Sequence, residues 1–288
     1  MPHKLHLYRK PELTEGKLIL SFSGWMNGGD VSTGTIEYLT EKFEAHEFAR
    51  IDPEGYYIYN FPGTMEFASM FRPYVSVKDG MIRTYQPPAD VFYCSDSANL
   101  VFFEGKEPHL NWVDYTDCII SLCEQLNIND IYFTGSVTSL VPHTREPKIL
   151  CTVSKQEMKK HLKQHFIKFT DYEGPASIVN YIMTRCSLAD INMASLITEI
   201  PAYVQGYNPK CIETSVKALV SILGLDIHID GLQSMTDDFE KKLSSIVADH
   251  PELEEKIQVL EQEYDDEVFN TELTDLKDWL LDKGIRID

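Results

Sequence analysis

The chain has 288 residues, 43% of them apolar, and a formal net charge of -19, so it can bury the core of one large domain and an appendage. Charge of that sign repels phosphate backbones and argues against nucleic acid as a partner. No run of about 18 apolar residues is present to cross a membrane, and the opening Met1-Pro2-His3-Lys4-Leu5-His6 lacks the apolar stretch of a secretory signal, so the expected location is the cytoplasm.

The acidity is uneven. From Asp226 onward 19 acidic residues face 6 basic ones, while the first 225 residues carry 26 and 20. Six cysteines, Cys94, Cys118, Cys123, Cys151, Cys186 and Cys211, form no C-x-x-C pair and read as reduced core residues rather than bridges or metal ligands.

In chain order, residues 17–23 are an apolar run without helical period, followed by the glycine-rich Gly24-Trp25-Met26-Asn27-Gly28-Gly29-Asp30. Val31, Thr35, Leu39 and Phe43 then recur at helical spacing, with Asp30 the expected N-cap. Strand, glycine turn and helix in that order open a parallel α/β sheet. Further strands are expected at 47–51, 56–60, 90–94, 100–104, 130–134, 148–153 and 194–200, with helices at 111–126, 174–186 and 208–223. The last helix is the best marked, with Asn208 as cap, Pro209 at its first position and Gly224 as its stop. This alternation predicts a mostly parallel sheet with helices on both faces.

Residues 61–88 break the alternation. Rich in aromatics, Met and Pro, they read as a long, partly irregular excursion over the sheet's rim, of the size that is functional or interfacial more often than accidental. After Leu225 only helical patterns remain. Leu243, Ile246 and Val247 lead to Pro251, and Leu253, Ile257, Leu260, Tyr264 and Val268 follow at spacings of three or four, which predicts a hairpin of two helices. A final amphipathic helix is expected through Leu273, Leu276, Trp279 and Leu280. The division is therefore 1–225 as the α/β body and 226–288 as a helical arm, whose apolar seam packs on its own body or serves as a dimer surface.

Two loops carry candidate chemistry. Gly24, Trp25, Asn27 and Gly28 lie between a strand and a helix, where backbone N–H groups and the positive helix end suit an anionic ligand, or where a tight turn serves packing alone. The spacing fits neither a dinucleotide fingerprint nor a Walker loop. Gly135, Ser136, His143 and Arg145 follow another strand and suit a phosphate, carboxylate or ribose, or brace neighbouring backbone. Ser136 lacks the second glycine of a nucleophile elbow. His161 and His165 lie four apart without the third ligand of a zinc motif and read as a surface pair. No catalytic residue, metal site or cofactor is assigned, so whether the chain is an enzyme stays open.

Six segments in order, 23–30, Phe61-Pro62-Gly63-Thr64, Thr134-Gly135-Ser136 leading to Pro142-His143-Thr144-Arg145, Tyr172-Glu173-Gly174-Pro175, Ile200-Pro201-Ala202-Tyr203-Val204 and Leu260-Glu261-Gln262-Glu263-Tyr264-Asp265, resemble the proteasome assembly chaperone family. The resemblance implies a three-layer α/β/α sandwich, phosphorylase/hydrolase-like, with a C-terminal helical extension and a tendency to self-associate. In eukaryotic and archaeal relatives it also implies binding to proteasomal subunits. Relatives that dock into α-ring pockets end in a hydrophobic residue, Tyr and any residue, whereas this chain ends Gly284-Ile285-Arg286-Ile287-Asp288, so docking by that tail is not expected. The ATP-grasp label sometimes given to prokaryotic relatives lacks a nucleotide loop with metal-binding carboxylates to support it. The leading expectation is a non-catalytic, self-associating protein-binding or assembly factor. The alternative is a small-ligand protein or phosphorylase/hydrolase-like enzyme using the two glycine-containing loops.

Overall fold

The computed structural model describes residues 4–165 and 167–282. The chain opens with β1 (Leu5–Leu7), β2 (Lys17–Ser23), α1 (Val31–Lys42) and β3 (His46–Ile51). An excursion then carries α2 (Met65–Ser69) and a separate ribbon of β4 (Tyr74–Lys78) and β5 (Met81–Gln86), before β6 (Asp90–Ser95) and β7 (Leu100–Lys106) return to the body. Next come α3 (Trp112–Leu126), β8 (Asp130–Ser139), β9 (Ile149–Val153), α4 (Met158–Leu162), β10 (Lys168–Phe169), α5 (Ile178–Leu188), β11 (Asn192–Pro201) and α6 (Pro209–Leu223). The chain continues into α7 (Asp230–Ala248) and α8 (Pro251–Asp282).

Nine strands form one sheet in the order β1-β3-β6-β7-β2-β8-β11-β9-β10. β2 lies at its centre, which explains the continuous apolar run. Leu18, Leu20 and Phe22 enter the core under α3 and α5, while Ile19 enters the core under α1 and α6, so both faces are covered and neither tolerates a polar alternation. The result is a three-layer α/β/α sandwich with helices continuing beyond it.

The sheet is mixed rather than mostly parallel. β7, β2, β8 and β11 run parallel at the centre, but β1, β3 and β6 pair antiparallel on one flank and β9 runs antiparallel to β11 on the other. The connection between β6 and β7 covers only residues 96–99, too short for the crossover that a parallel pair requires.

Three local expectations change. Residues 56–60 are not a strand: Tyr56 and Tyr57 are buried, but His109 and Leu110 donate their backbone N–H groups to the Tyr56 carbonyl, and Ile58 N–H donates to His109 Nδ1 at 3.0 Å. An irregular buried segment thus carries a strand-like apolar pattern. Asp30 does not cap α1, because a short 3-10 turn (Gly28–Asp30) puts it at φ +54°, and Asn27 Oδ1 accepts Thr33 N–H at 3.1 Å instead. The helix expected from 174 begins at Ile178, where Ser177 and Asn180 form a capping box.

The arm is longer and simpler than the pattern suggested. α7 and α8 are joined across Asp249 and His250, and α8 runs unbroken for 32 residues. The separate last helix is therefore a continuation of α8, with the side chains of Leu276, Trp279 and Leu280 outside the described residues. The tail 284–288 also lies outside them.

Candidate functional site

β2 and β8 are parallel neighbours, with Leu20 opposite Phe133, so the loops that leave their carboxyl ends meet at one rim. Asn27 and Ser136 form a bridge. Ser136 N–H donates to the Met26 carbonyl at 2.9 Å, and its hydroxyl donates to the Gly28 carbonyl at 2.6 Å. A side chain would crowd this joint: a Cβ on Gly28 would stand 2.6 Å from Ile200 Cδ1, so the end of that side chain would have to move, and one on Gly135 would stand 3.1 Å from the Met26 carbonyl oxygen.

The polar groups of the first loop are turned inward. Trp25 N–H donates to Glu107 Oε2 at 3.2 Å, and Ile178 N–H, at the start of α5, donates to Glu107 Oε1 at 3.2 Å. One carboxylate therefore takes both the loop amide and a helix N-terminus, the positive end that suits an anion. The Trp25 ring itself is exposed.

The second loop reaches the arm. His143 is buried, its N–H donates to Tyr203 Oη at 2.7 Å, and its Nδ1 lies 2.9 Å from the same oxygen. Tyr203 accepts from the backbone and gives its own proton to Nδ1, which assigns the ring proton to Nε2. Burial, with Lys210 adding to it, pushes the His143 pKa down and keeps the ring neutral. Among the described residues its Nε2 has no partner. The His143 carbonyl accepts from Lys210 Nζ at 2.8 Å, and Lys210 pairs with Glu240 of α7.

Thr144 donates to Glu261, and the Arg145 guanidinium holds Asp265 through two bonds of 2.8 and 2.7 Å, with Glu261 3.4 Å away. Tyr264 donates to the Glu146 carbonyl at 2.8 Å. Lys148 and Lys168 both reach Glu267, at 2.8 and 2.6 Å, and hold its carboxyl down at about 2. Between this loop, α6 and Phe239 of α7 lies a cleft of about 10 Å³, lined by His143, Arg145, Glu199 and Lys210. It has room for one water.

The structure thus brings Asn27, Gly28, Gly135 and Ser136 into one joint and places His143 and Arg145 at the junction with the arm. His161 and His165 have ring centroids 5.0 Å apart, and His165 Nδ1 bonds Ser221 Oγ. Among the described residues no group of three or more His, Cys, Asp or Glu is placed to hold a metal, and no helix is long and apolar enough to cross a membrane.

A second feature stands away from the rim. Met65, Phe67, Met70, Tyr74, Val75, Val77, Met81, Ile82 and Tyr85 of the excursion are all exposed. The ribbon's register sets Val75 opposite Tyr85 and Val77 opposite Ile82, which puts these four on one face. The signal for it is Asp79-Gly80 between two apolar runs, both residues at positive φ (54° and 75°), as a two-residue hairpin turn demands.

The PAC2 family model matches residues 21–247. The chain belongs to the PAC2 family. The PAC2 match begins within β2, leaves out β1, takes in the other strands of the sheet and nearly all of α7, and stops short of α8. No curated protein matches the chain. Solved structures share its fold: a Corynebacterium glutamicum protein of unknown function is 18% identical with a TM-score of 0.81, over 93% of this chain and 99% of that one. A proteasome-assembly chaperone homologue from Mycobacterium tuberculosis is 24% identical with a TM-score of 0.74, over 84% and 99%. A Pyrococcus furiosus archaeal proteasome activator is 16% identical with a TM-score of 0.64, over 85% and 99%.

Proposed function

We propose that this PAC2 protein is a non-catalytic, self-associating protein-binding factor of the assembly-chaperone kind, acting in the cytoplasm. It consists of a body, 1–225, and an arm, 226–288, and meets its partners through the excursion and the arm. One observation carries this reading. The ribbon β4–β5 exposes apolar side chains on a two-stranded sheet with no third strand among the described residues, and such a ribbon is marginal in water until something covers it. The proteasomal names of two structural relatives support the choice of partner class. Light scattering on the full chain, with affinity capture against purified proteasomal α-subunits, tests it. A strict monomer that retains no subunit overturns it.

A second reading rests on the Nε2 of His143, which has no partner among the described residues. Here Gly24, Trp25, Asn27, Gly28, Gly135, Ser136, His143 and Arg145 frame a site for a small phosphate- or ribose-bearing ligand at the rim, once the cleft widens. Phosphate or a nucleoside at a hundred times its Kd then adds about 2.7 kcal/mol of stability. Absence of any thermal shift across such compounds removes it.

A further inference from the structure

We propose that the loop 143–148 and β10 form a docking track for an acidic amphipathic helix, and that α8 of a second copy occupies it in exchange for the chain's own. The proposal rests on the self-associating reading and names the contact by which copies exchange arms.

The chemistry of the occupant is displayed by the helix already there. Arg145, Lys148 and Lys168 receive Glu261, Asp265 and Glu267, of which Glu261 and Asp265, at i and i+4, share one face of α8 and Glu267 lies on the adjoining face. Tyr264 lies among them, its hydroxyl on the Glu146 carbonyl and its ring 4.1 Å from Lys148 Nζ. In a chain of net charge -19, three cations in one place select for carboxylates, and the most carboxylate-rich helix of this protein is α8 itself. Any second copy brings that helix with it.

The attachment is of a kind that exchanges. These contacts are ion pairs and hydrogen bonds at the surface, individually weak and screened by salt. Of the arm's apolar seam, Ile257 alone among the described residues of α8 is fully buried, while Phe269 and Leu273 stand uncovered. Only Asp249 and His250 separate α7 from α8. A rigid helix of 32 residues spans about 48 Å, so rearrangement at that joint carries the whole helix to a neighbour while preserving every contact. This is the geometry of an exchanged element, and the intramolecular arm competes through its high effective concentration.

Two full-length variants separate the halves of the contact. Arg145→Ala with Lys148→Ala disables the track and keeps the arm, whereas Glu261→Gln with Asp265→Asn and Glu267→Gln disables the arm and keeps the track. Labelled differently and mixed at low salt, they are expected to form a mixed species at least about tenfold tighter than either variant alone, and to lose it at 1 M salt, where charges beyond about 3 Å are screened. Light scattering with two-colour detection reads this. A mixture that behaves as the sum of its parts, or a mixed species indifferent to salt, overturns the proposal. Association through the ribbon is present in each variant alone, so loss of that association with mixing intact removes only the ribbon reading.

Discussion

The Tyr57 hydroxyl lies 2.7 Å from both carboxylate oxygens of Asp90, 33 residues further on, and closes the neck of the excursion. Asp90 Oδ1 also accepts from Tyr115 Oη at 2.7 Å and from Lys106 N–H at 3.2 Å, while Tyr57 also reaches the Lys106 carbonyl at 2.8 Å. His109 stacks edge-on against Tyr57 and accepts from Ile58, so the neck is tied at both its entry and its exit. Burial pushes the Asp90 carboxyl up to about 6 despite these donors.

That shift predicts a pH dependence. The folded-state pKa of Asp90 lies above the unfolded value of about 3.9, so its protonation favours the folded chain. Its own contribution to stability rises as pH falls through about 6 toward about 4, opposed by His109 and His143, whose lowered values cost stability as the pH falls. The size is on the order of 3 kcal/mol, at 1.36 kcal/mol per unit. Asp265 and Glu267, held below their ordinary values by Arg145, Lys148 and Lys168, act oppositely but in a lower window, where stability is lost as pH falls below about 4. In Asp90→Asn the amide oxygen keeps Tyr115 and Lys106 while its N–H donates to Tyr57. Relative to this variant, the wild type should gain stability between pH 7 and 5 in urea unfolding curves, and identical pH profiles of the two would assign the dependence elsewhere.

At the rim, Gly29 sits at φ +63°, where an added Cβ would stand only 2.9 Å from Asn208 Cβ, and Asn208 caps α6 through Cys211 N–H. Gly29→Ala should cost about 2 to 3 kcal/mol, combining a left-handed backbone with a disturbed cap. Gly80, at φ +75° with open space around it, supplies the control, since Gly80→Ala should cost about 1 to 2 kcal/mol from the backbone alone. Equal losses in chemical denaturation would dissociate the rim from the α6 cap.

Arg145→Ala removes the bidentate hold on Asp265 and the contact with Glu261. Exposed pairs contribute up to about 1 kcal/mol, so the global midpoint should move little. Amide exchange within 255–270 should quicken by about fivefold, as a 1 kcal/mol loss implies, and quicken less at high salt, where the wild-type pair is already screened. Unchanged exchange would mean that the apolar seam alone holds the arm.

On the ribbon, Val75→Asp with Ile82→Asp alters side chains that touch solvent. Monomer stability should stay within about 0.5 kcal/mol, while self-association seen by light scattering should weaken at least about tenfold. Retained association would move the contact away from this face.

Sequence by itself determined the alternation of strands and helices, the central burial of β2, the start and stop of α6 and the helical end of the chain, because periodicity and caps are properties of neighbouring residues. It also carried the PAC2 resemblance, since short motifs in fixed order survive without any knowledge of contacts. It misled where a buried irregular segment imitates a strand, at Tyr56 and Tyr57, and where Asn27 replaces Asp30 as the cap of α1. What His143 and Arg145 do was decided only by tertiary structure: Arg145 meets Asp265 across 120 residues and Lys210 meets the His143 carbonyl across 67. Contacts of that range leave no periodic trace, and the same holds for the face of the ribbon, whose exposure depends on what the rest of the fold fails to cover.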